Sequence, residues 1–393
     1  MLKIKLIPAE YGESIWISVG ENVQYNILID GGLGKTYKKY LKPEIKHIKE
    51  INQKINLLVC THIDNDHIGG LISALKETNS DLIENIWYNG FLQMIDSKFS
   101  SQNENKYTDR DNKILDAIIS QGLITDEEQE VGINEGMSFG VLVEEKGIPL
   151  NVATGGQAIC TGQIKNRYEI MKNIFITVLG PSPKDIAEVE EYWKKDMISR
   201  NYMFRVSDKI KLMETFEYQL ERIKAAYMSE KYKISGNEDL TKYIGKLTEC
   251  DDSVVNRSSI SFILEYANRK YLFLGDSVIN KMMLDQIESE VGTKYRFSAI
   301  KLPHHGSRYN ITHDFISRYT AEEYYCLTNS AKYGHPDLEA LATVLCEDVH
   351  FKKLVFNYPI NKAYFLDKKE WKEKYKYEVI IGDGKTMVER IFK

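Results

Sequence analysis

The sequence predicts an α/β fold in which two sets of strands flank a helical middle. Three observations carry this reading. Short apolar runs that end in Gly, Asp or His recur before residue 90 and again after residue 257. Residues 184–247 place apolar side chains at helical spacing instead. No short-period repeat and no Ser- or Gln-rich tract interrupts the pattern.

In chain order, Lys3 to Pro8, Ser14 to Val19 and Tyr25 to Asp30 read as strands, with Gly12 and the Gly31-Gly32 pair supplying turns. Residues 37–54 read as an exposed, Lys-rich helix. Ile55 to Cys60 is continuously apolar, as strands buried on both faces are. Gly69-Gly70 is expected to open a helix through Leu71 to Lys76, and Ile83 to Tyr88 to form another strand. Residues 91–170 yield a helix over 109–121 and short strand-like pieces. Asn173 to Leu179 is a strand broken by Gly180-Pro181.

Within 184–247, Leu212, Phe216, Leu220, Ile223 and Tyr227 follow steps of three and four. An α-helical insertion of two or three helices is expected there, either packed as an ordinary hairpin or serving as a lid or a docking module for a protein partner. Ser258 to Tyr266 and Lys270 to Leu274 form a hairpin around Asn268-Arg269. Ser298 to Leu302, Glu323 to Leu327, Lys353 to Phe356 and Tyr377 to Ile381 complete the strands. The expected organisation is one domain over 1–393 with 184–247 inserted in it.

Composition narrows the class. Apolar residues make up 43% and charged residues 28%, as in soluble globular chains. A net charge of −5 gives no bulk basic field for non-specific duplex binding, although a local groove or a small anionic substrate stays open. The five cysteines are scattered and hold no CxxC pair, which points to reduced thiols. No signal-like segment and no run near the roughly 20 apolar residues of a membrane span is found. A cytoplasmic protein without membrane contact is expected.

The chemistry concentrates in Thr61-His62-Ile63-Asp64-Asn65-Asp66-His67-Ile68-Gly69-Gly70, which leaves a buried strand. His62, Asp64, Asp66 and His67 are good first-row metal ligands. So many ionisable groups in one loop would repel or shift their pKa values without a cation. Residues two apart in extended chain face the same way, so His62 and Asp64 can grip one ion. Asp66 and His67 can reach a second. Asp276 in Gly275-Asp276-Ser277 and the pair His304-His305 also follow strand ends. Strands of one sheet gather such ends at one edge.

The combination resembles the metallo-β-lactamase superfamily, in a variant whose second ligand is Asp. It is similar to the hydrolase domain of DNA-uptake channel proteins of the ComEC type and to their stand-alone bacterial relatives. Gly12-Glu13-Ser14, Asp30-Gly31-Gly32, Asn256-Arg257-Ser258-Ser259 and Leu302-Pro303-His304-His305-Gly306-Ser307 fit the same pattern in order, as does Tyr333-Gly334-His335-Pro336. Residues 91–170 and 184–247 lie outside it.

The resemblance implies an αββα sandwich with the site on one edge of two sheets. It implies two divalent ions, Zn2+ or Mn2+. His62 and Asp64 would hold the first, Asp66 and His67 the second, and Asp276 would bridge. One of His304 and His305, with His304 preferred, would be the ligand that closes the second ion's shell, and the other would face the substrate. Asp30 would orient a ligand or the Gly31-Gly32 loop. Asn256 and Ser307 are candidates for hydrogen bonds into the site, and Arg308 would either neutralise a phosphate or stand solvated. The middle stretch Thr177-Val178-Leu179-Gly180-Pro181 lacks the His that many members carry there. His335 would serve the first ion or touch substrate, or be a turn histidine before Pro336.

The expected activity is metal-dependent hydrolysis, foremost of phosphodiesters in a nucleic acid or nucleotide, with Asp66, His304 and His305 as catalytic residues and a role in bacterial defence by analogy. Small ester, lactone or amide hydrolysis and a partner-activated effector are the alternatives.

Overall fold

Alternation along the strands fixes the layers. In β2 (Ile15–Gly20), Ile15, Ile17 and Val19 face one apolar cluster and Trp16 another. In β3 (Gln24–Ile29), Ile27 and Ile29 face the first cluster and Leu28 the second. In β4 (Leu57–Val59), the split is Leu57 and Val59 against Leu58. Both faces of these strands are therefore covered, which is why the sequence shows unbroken apolar runs. The computed structural model describes every residue except 21–23, 96–108, 123–137, 163–164, 203–207, 222–238, 245–246, 248–249 and 252.

With β1 (Leu2–Leu6), β5 (Ile86–Trp87) and β14 (Val388–Phe392), these strands make a six-stranded sheet in the order β14-β1-β2-β3-β4-β5. The second sheet holds β6 (Arg167–Met171), β7 (Ile174–Gly180), β8 (Ser261–Tyr266), β9 (Arg269–Phe273), β10 (Tyr295–Lys301), β11 (Tyr319–Cys326), β12 (Lys352–Phe356) and β13 (Tyr377–Ile381). Its order is β13-β12-β11-β10-β9-β8-β7-β6. Strands β9 to β13 run parallel, so their C-terminal ends share one edge.

The two sheets pack face to face. Ile4, Ile17, Ile27 and Val59 of the first meet Ile176, Phe262, Tyr271 and Phe273 of the second in one cluster. The outer face of the first sheet is covered by helices through Tyr40, Ile45, Leu71 and Leu75. Helices carrying Ile287, Phe315, Leu341 and Leu345 cover the outer face of the second, against Leu272, Ile300, Tyr324 and Leu354. The layers thus run helix, sheet, sheet, helix, as expected for the sandwich.

Several elements depart from the sequence reading. The helix expected to open at Gly69-Gly70 begins four residues earlier, as Asn65–Glu77, so Asp66 and His67 lie in its first turn. The Lys-rich helix spans residues 34–50 and buries Tyr37, Tyr40, Leu41, Ile45 and Ile48 inward. Strands β6 and β14 were not anticipated. The first is exposed at every second residue, and the second finds its partner, β1, at the opposite end of the chain. Among the residues 184–247, helices Pro183–Ser199 and Lys209–Glu221 pack onto the helical layer of the first sheet. Trp193 and Phe216 meet Phe91 there at ring distances of 5.4 and 5.7 Å. Ile223 and Tyr227 lie outside the described residues.

Candidate metal centre

Four strand ends deliver the site. After β3 the chain enters Asp30-Gly31-Gly32, and after β4 it enters the His62 to His67 run. Strand β9 ends just before Asp276, and β10 before His304-His305. The helix Asn65–Glu77 crosses the glycine loop at backbone contact. Gly31 N donates to His67 O at 2.7 Å and Gly70 N to Gly32 O at 2.7 Å. A β-carbon on Gly70 would stand 1.9 Å from Gly31 O, which no side chain tolerates. His304 and His305 both adopt positive φ, 44° and 55°. Two successive non-glycine residues in that region are strained, and the turn they form presents both rings at the strand end.

Asp276 Oδ2 is the hub of the cluster. It stands 3.4 Å from His67 Nε2, 3.7 Å from His305 Nε2, 3.7 Å from His304 Nε2 and 4.0 Å from His62 Nε2. Asp64 Oδ2 is 3.6 Å from His62 Nε2, and Asp66 Oδ2 is 3.8 Å from His305 Nε2. Among the described residues, two groups have ligand atoms close enough to share an ion: His62, His67 and Asp276, and Asp66, His67 and His305. His304 belongs to neither.

The outer hydrogen bonds fix each ring. Asp30 is fully buried; its carboxylate accepts from Thr61 N at 2.8 Å, Thr61 Oγ1 at 2.7 Å and His67 Nδ1 at 2.8 Å. Because the Thr61 hydroxyl gives its proton to Asp30, it accepts from His62 Nδ1 at 3.0 Å. His305 Nδ1 donates to Leu327 O at 2.8 Å. In all three residues Nδ1 is engaged, and Nε2 is buried without a hydrogen-bond partner. Asp64 Oδ1 and Asp276 Oδ1 are likewise buried without a hydrogen-bond partner, the latter 3.7 Å from Lys301 Nζ. Unsatisfied imidazole and carboxylate atoms aimed at one point fit a divalent cation, and their Nδ1 bonds are those of metal-ligating histidines.

Charge tells the same story. Burial would raise the Asp276 carboxyl, but His67, His305 and His304 around it hold it well below the ordinary range. Burial would lower His67, but Asp276 and Asp30 hold its imidazole well above the ordinary value. Protons on imidazoles therefore do, in the protein alone, what a cation does in a metal site.

The other residues named from the sequence lie around this cluster. Arg308 pairs through Nη1 with the buried Glu339 at 3.1 Å and through Nη2 with the Tyr309 hydroxyl at 2.7 Å, so its guanidinium braces the loop. Ser307 is buried and its hydroxyl accepts from Tyr309 N at 3.2 Å, closing the turn after His305. Asn256 Nδ2 donates to Asp251 Oδ2 at 2.6 Å and stands 3.5 Å from His304 Nδ1. The His335 ring lies 5.1 Å from the His304 ring, tilted by 59°, with Nδ1 3.3 Å from Asp337 Oδ2.

Sequence reasoning missed Glu13 and Lys301, both buried and ion-paired beneath the hub. Lys301 Nζ also donates to Gly275 O at 2.8 Å and lies 3.7 Å from Asp276 Oδ1. Lys301 ends an apolar strand, and a lysine there was the available signal. It missed Asp251 and Asn310 as well, which stand in polar loops without a motif.

The Metallo-beta-lactamase superfamily model matches residues 12–119. That segment includes the whole Thr61 to Gly70 run. With the helix-sheet-sheet-helix order, it identifies the fold as the metallo-β-lactamase fold. No curated protein sequence matches. Zn2+-bound PqqB from Methylobacterium extorquens is similar at 9% identity, over 99% of this chain and 100% of that one, with a TM-score of 0.38. The metallo-beta-lactamase fold protein YhfI from Bacillus subtilis is similar at 9% identity, over 99% of each chain, with a TM-score of 0.37. Among the described residues no helix is long and apolar enough to cross a membrane.

Proposed function

We propose that this chain, folded as a metallo-β-lactamase sandwich, is a metal-dependent hydrolase that cleaves phosphodiesters in a nucleic-acid or nucleotide substrate. The observation that carries the reading is the convergence of three unpartnered Nε2 atoms with the carboxylates of Asp64, Asp66 and Asp276. His62, Asp64 and Asp276 would hold one ion, and Asp66, His67, His305 and Asp276 the other. His305 replaces His304, the ligand preferred from the sequence, because only His305 lies within reach of Asp66 and His67. Zn2+ and Mn2+ both suit this donor set. Bound ions would supply an activated water and neutralise charge on the substrate.

The chain's own residues divide the remaining work. Asp30 and Thr61 hold His67 and His62 in one tautomer. His304, whose side chain is 12% exposed where His62 and His67 have none, meets the substrate and protonates the leaving oxygen. Lys332 lies 4.5 Å from the Tyr11 ring and 5.1 Å from the Tyr333 ring, and Tyr333 is close enough to Asp64 and Asp66 to feel their charge. A cation between two aromatic faces at this place suits a phosphate carrying a base.

The test is the purified chain with Mn2+ or Zn2+, assayed on single- and double-stranded DNA, RNA, cyclic nucleotides and bis-p-nitrophenyl phosphate. Cleavage by wild type that Asp66→Ala abolishes is expected. Equal cleavage by that variant, or none of any substrate by wild type, overturns the reading. A preference for carboxyl- or thioesters would favour ester hydrolysis at the same site.

A further inference from the structure

His304 stands at the site outside both ligand groups, and the residues behind it form a cradle of their own. Asn310 Nδ2 donates to Asp276 O at 3.0 Å and to Ser277 O at 3.3 Å. Both are carbonyl oxygens, which only accept, so the amide is oriented and its Oδ1 faces His304. That oxygen lies 3.1 Å from His304 Nδ1. It makes Nδ1 the protonated nitrogen and leaves Nε2 on the substrate side, 3.7 Å from Asp276 Oδ2.

Asp251 closes the cradle. It is buried, and its Oδ2 stands 3.4 Å from His304 Nδ1. The same oxygen accepts from Asn256 Nδ2 at 2.6 Å and from Asn310 Nδ2 at 3.2 Å, while Oδ1 accepts from Ser253 N at 2.8 Å. The carboxylate is thereby immobilised by three donors while facing a fourth. A buried anion held against an imidazole both fixes the ring and stabilises the positive charge on it.

We propose that Asp251, seconded by Asn310, is the positioning residue that aims His304 at the leaving group. This inference rests on the phosphodiesterase reading for the identity of that group. In the step, a water that has released one proton to solvent bonds through its oxygen to phosphorus as the bond from phosphorus to the leaving oxygen breaks. The imidazolium Nε2–H of His304 passes its proton to that oxygen. Asp251 keeps its negative charge throughout, and the neutral imidazole is reprotonated from solvent.

The experiment compares wild type with Asp251→Asn in the full, metal-loaded chain on two phosphodiesters. Bis-p-nitrophenyl phosphate expels a stable phenolate that needs no proton, whereas a thymidine dinucleotide expels an alkoxide that does. Loss of a general acid is worth roughly 100-fold or more. Asp251→Asn is expected to lower kcat on the dinucleotide by about that factor, and by under about threefold on the aryl ester, with KM and metal content unchanged. A structural defect would lower both alike. Equal losses, or no loss on the dinucleotide, overturn the proposal.

A second readout does not depend on turnover. In imidazole 1H–15N spectra, assigned with His304→Gln, wild-type His304 is expected to show a hydrogen-bonded Nδ1–H that Asp251→Asn weakens or loses. A wild-type ring protonated only at Nε2 overturns the proposal. A chain that shows the Nδ1–H but cleaves no phosphodiester refutes the phosphodiesterase reading and leaves the cradle standing.

Discussion

Asp30 accepts three hydrogen bonds at full burial and so sets two ligands at once, His67 directly and His62 through Thr61. Asparagine in its place would turn an NH2 group towards at least one of those donors. Asp30→Asn is expected to weaken metal binding by about 10- to 100-fold and stability by about 2 kcal/mol, measured by chelator competition and denaturant unfolding. Unchanged affinity would show that His67 needs no carboxylate behind it. At this scale the sequence told unevenly. Its motif located His62, Asp64, Asp66, His67 and Asp276, because spacing after a strand end reports which side chains gather. It preferred His304 to His305 as the ligand, a choice that depends on the positive φ of both residues in a single turn, which no spacing encodes. It held no sign of the Arg308 partner Glu339, which is 31 residues further on.

Elements are pinned where backbones touch. Gly12 and Gly70 are needed at the crossing of the Asn65–Glu77 helix, since a β-carbon on Gly12 would lie 2.1 Å from Asp66 O. Gly70→Ala must push the helix off the Gly31 loop and carry Asp66 and His67 with it. A loss of more than about 2 kcal/mol is expected, together with metal content below that of wild type. A second element carries a pH dependence. The helix Lys209–Glu221 buries Glu214 and Glu217. Burial, then the charges of Glu217, Asp208 and Glu145, push Glu214 from 4.5 up to about 7. The folded state therefore holds a proton that the unfolded chain releases between these values. The stability this gives is complete below pH 4.5 and is lost as pH rises through 7. Glu214→Gln, neutral throughout, should exceed wild type by about 1 kcal/mol at pH 8 and by much less at pH 5, as read from urea midpoints. An equal gain at both values would mean that the carboxyl does not titrate there. Strands such as β4 and β9 were legible because both faces are apolar. Strand β14 was not, because its reason for forming lies at the other terminus.

At the scale of the whole molecule, the site is a joint between the two sheets. His62, Asp64, Asp66 and His67 leave the first sheet, while Asp276 and His305 leave the second. Elsewhere the sheets meet through non-directional apolar packing and a partly buried ion pair, Arg390 Nε to Glu323 Oε2 at 2.8 Å. The αββα order was legible once the motif implied it, since strand ends some 210 residues apart in sequence had to meet; the helical outer layer around Phe91, Trp193 and Phe216 carried no such marker. An ion bound across the joint stabilises only the docked arrangement, by about 2.7 kcal/mol when free metal is 100 times its dissociation constant. Removing metal with a chelator is therefore expected to lower the thermal midpoint by several degrees. It should also raise amide exchange at the ends of β4, β9 and β10 more than in β13 and β14, the outermost strands of the two sheets. Adding Zn2+ or Mn2+ back should reverse both effects in wild type and neither in His67→Ala with Asp276→Ala. Exchange that rises uniformly over both sheets would instead make the metal a general stabiliser, with no special hold on the joint.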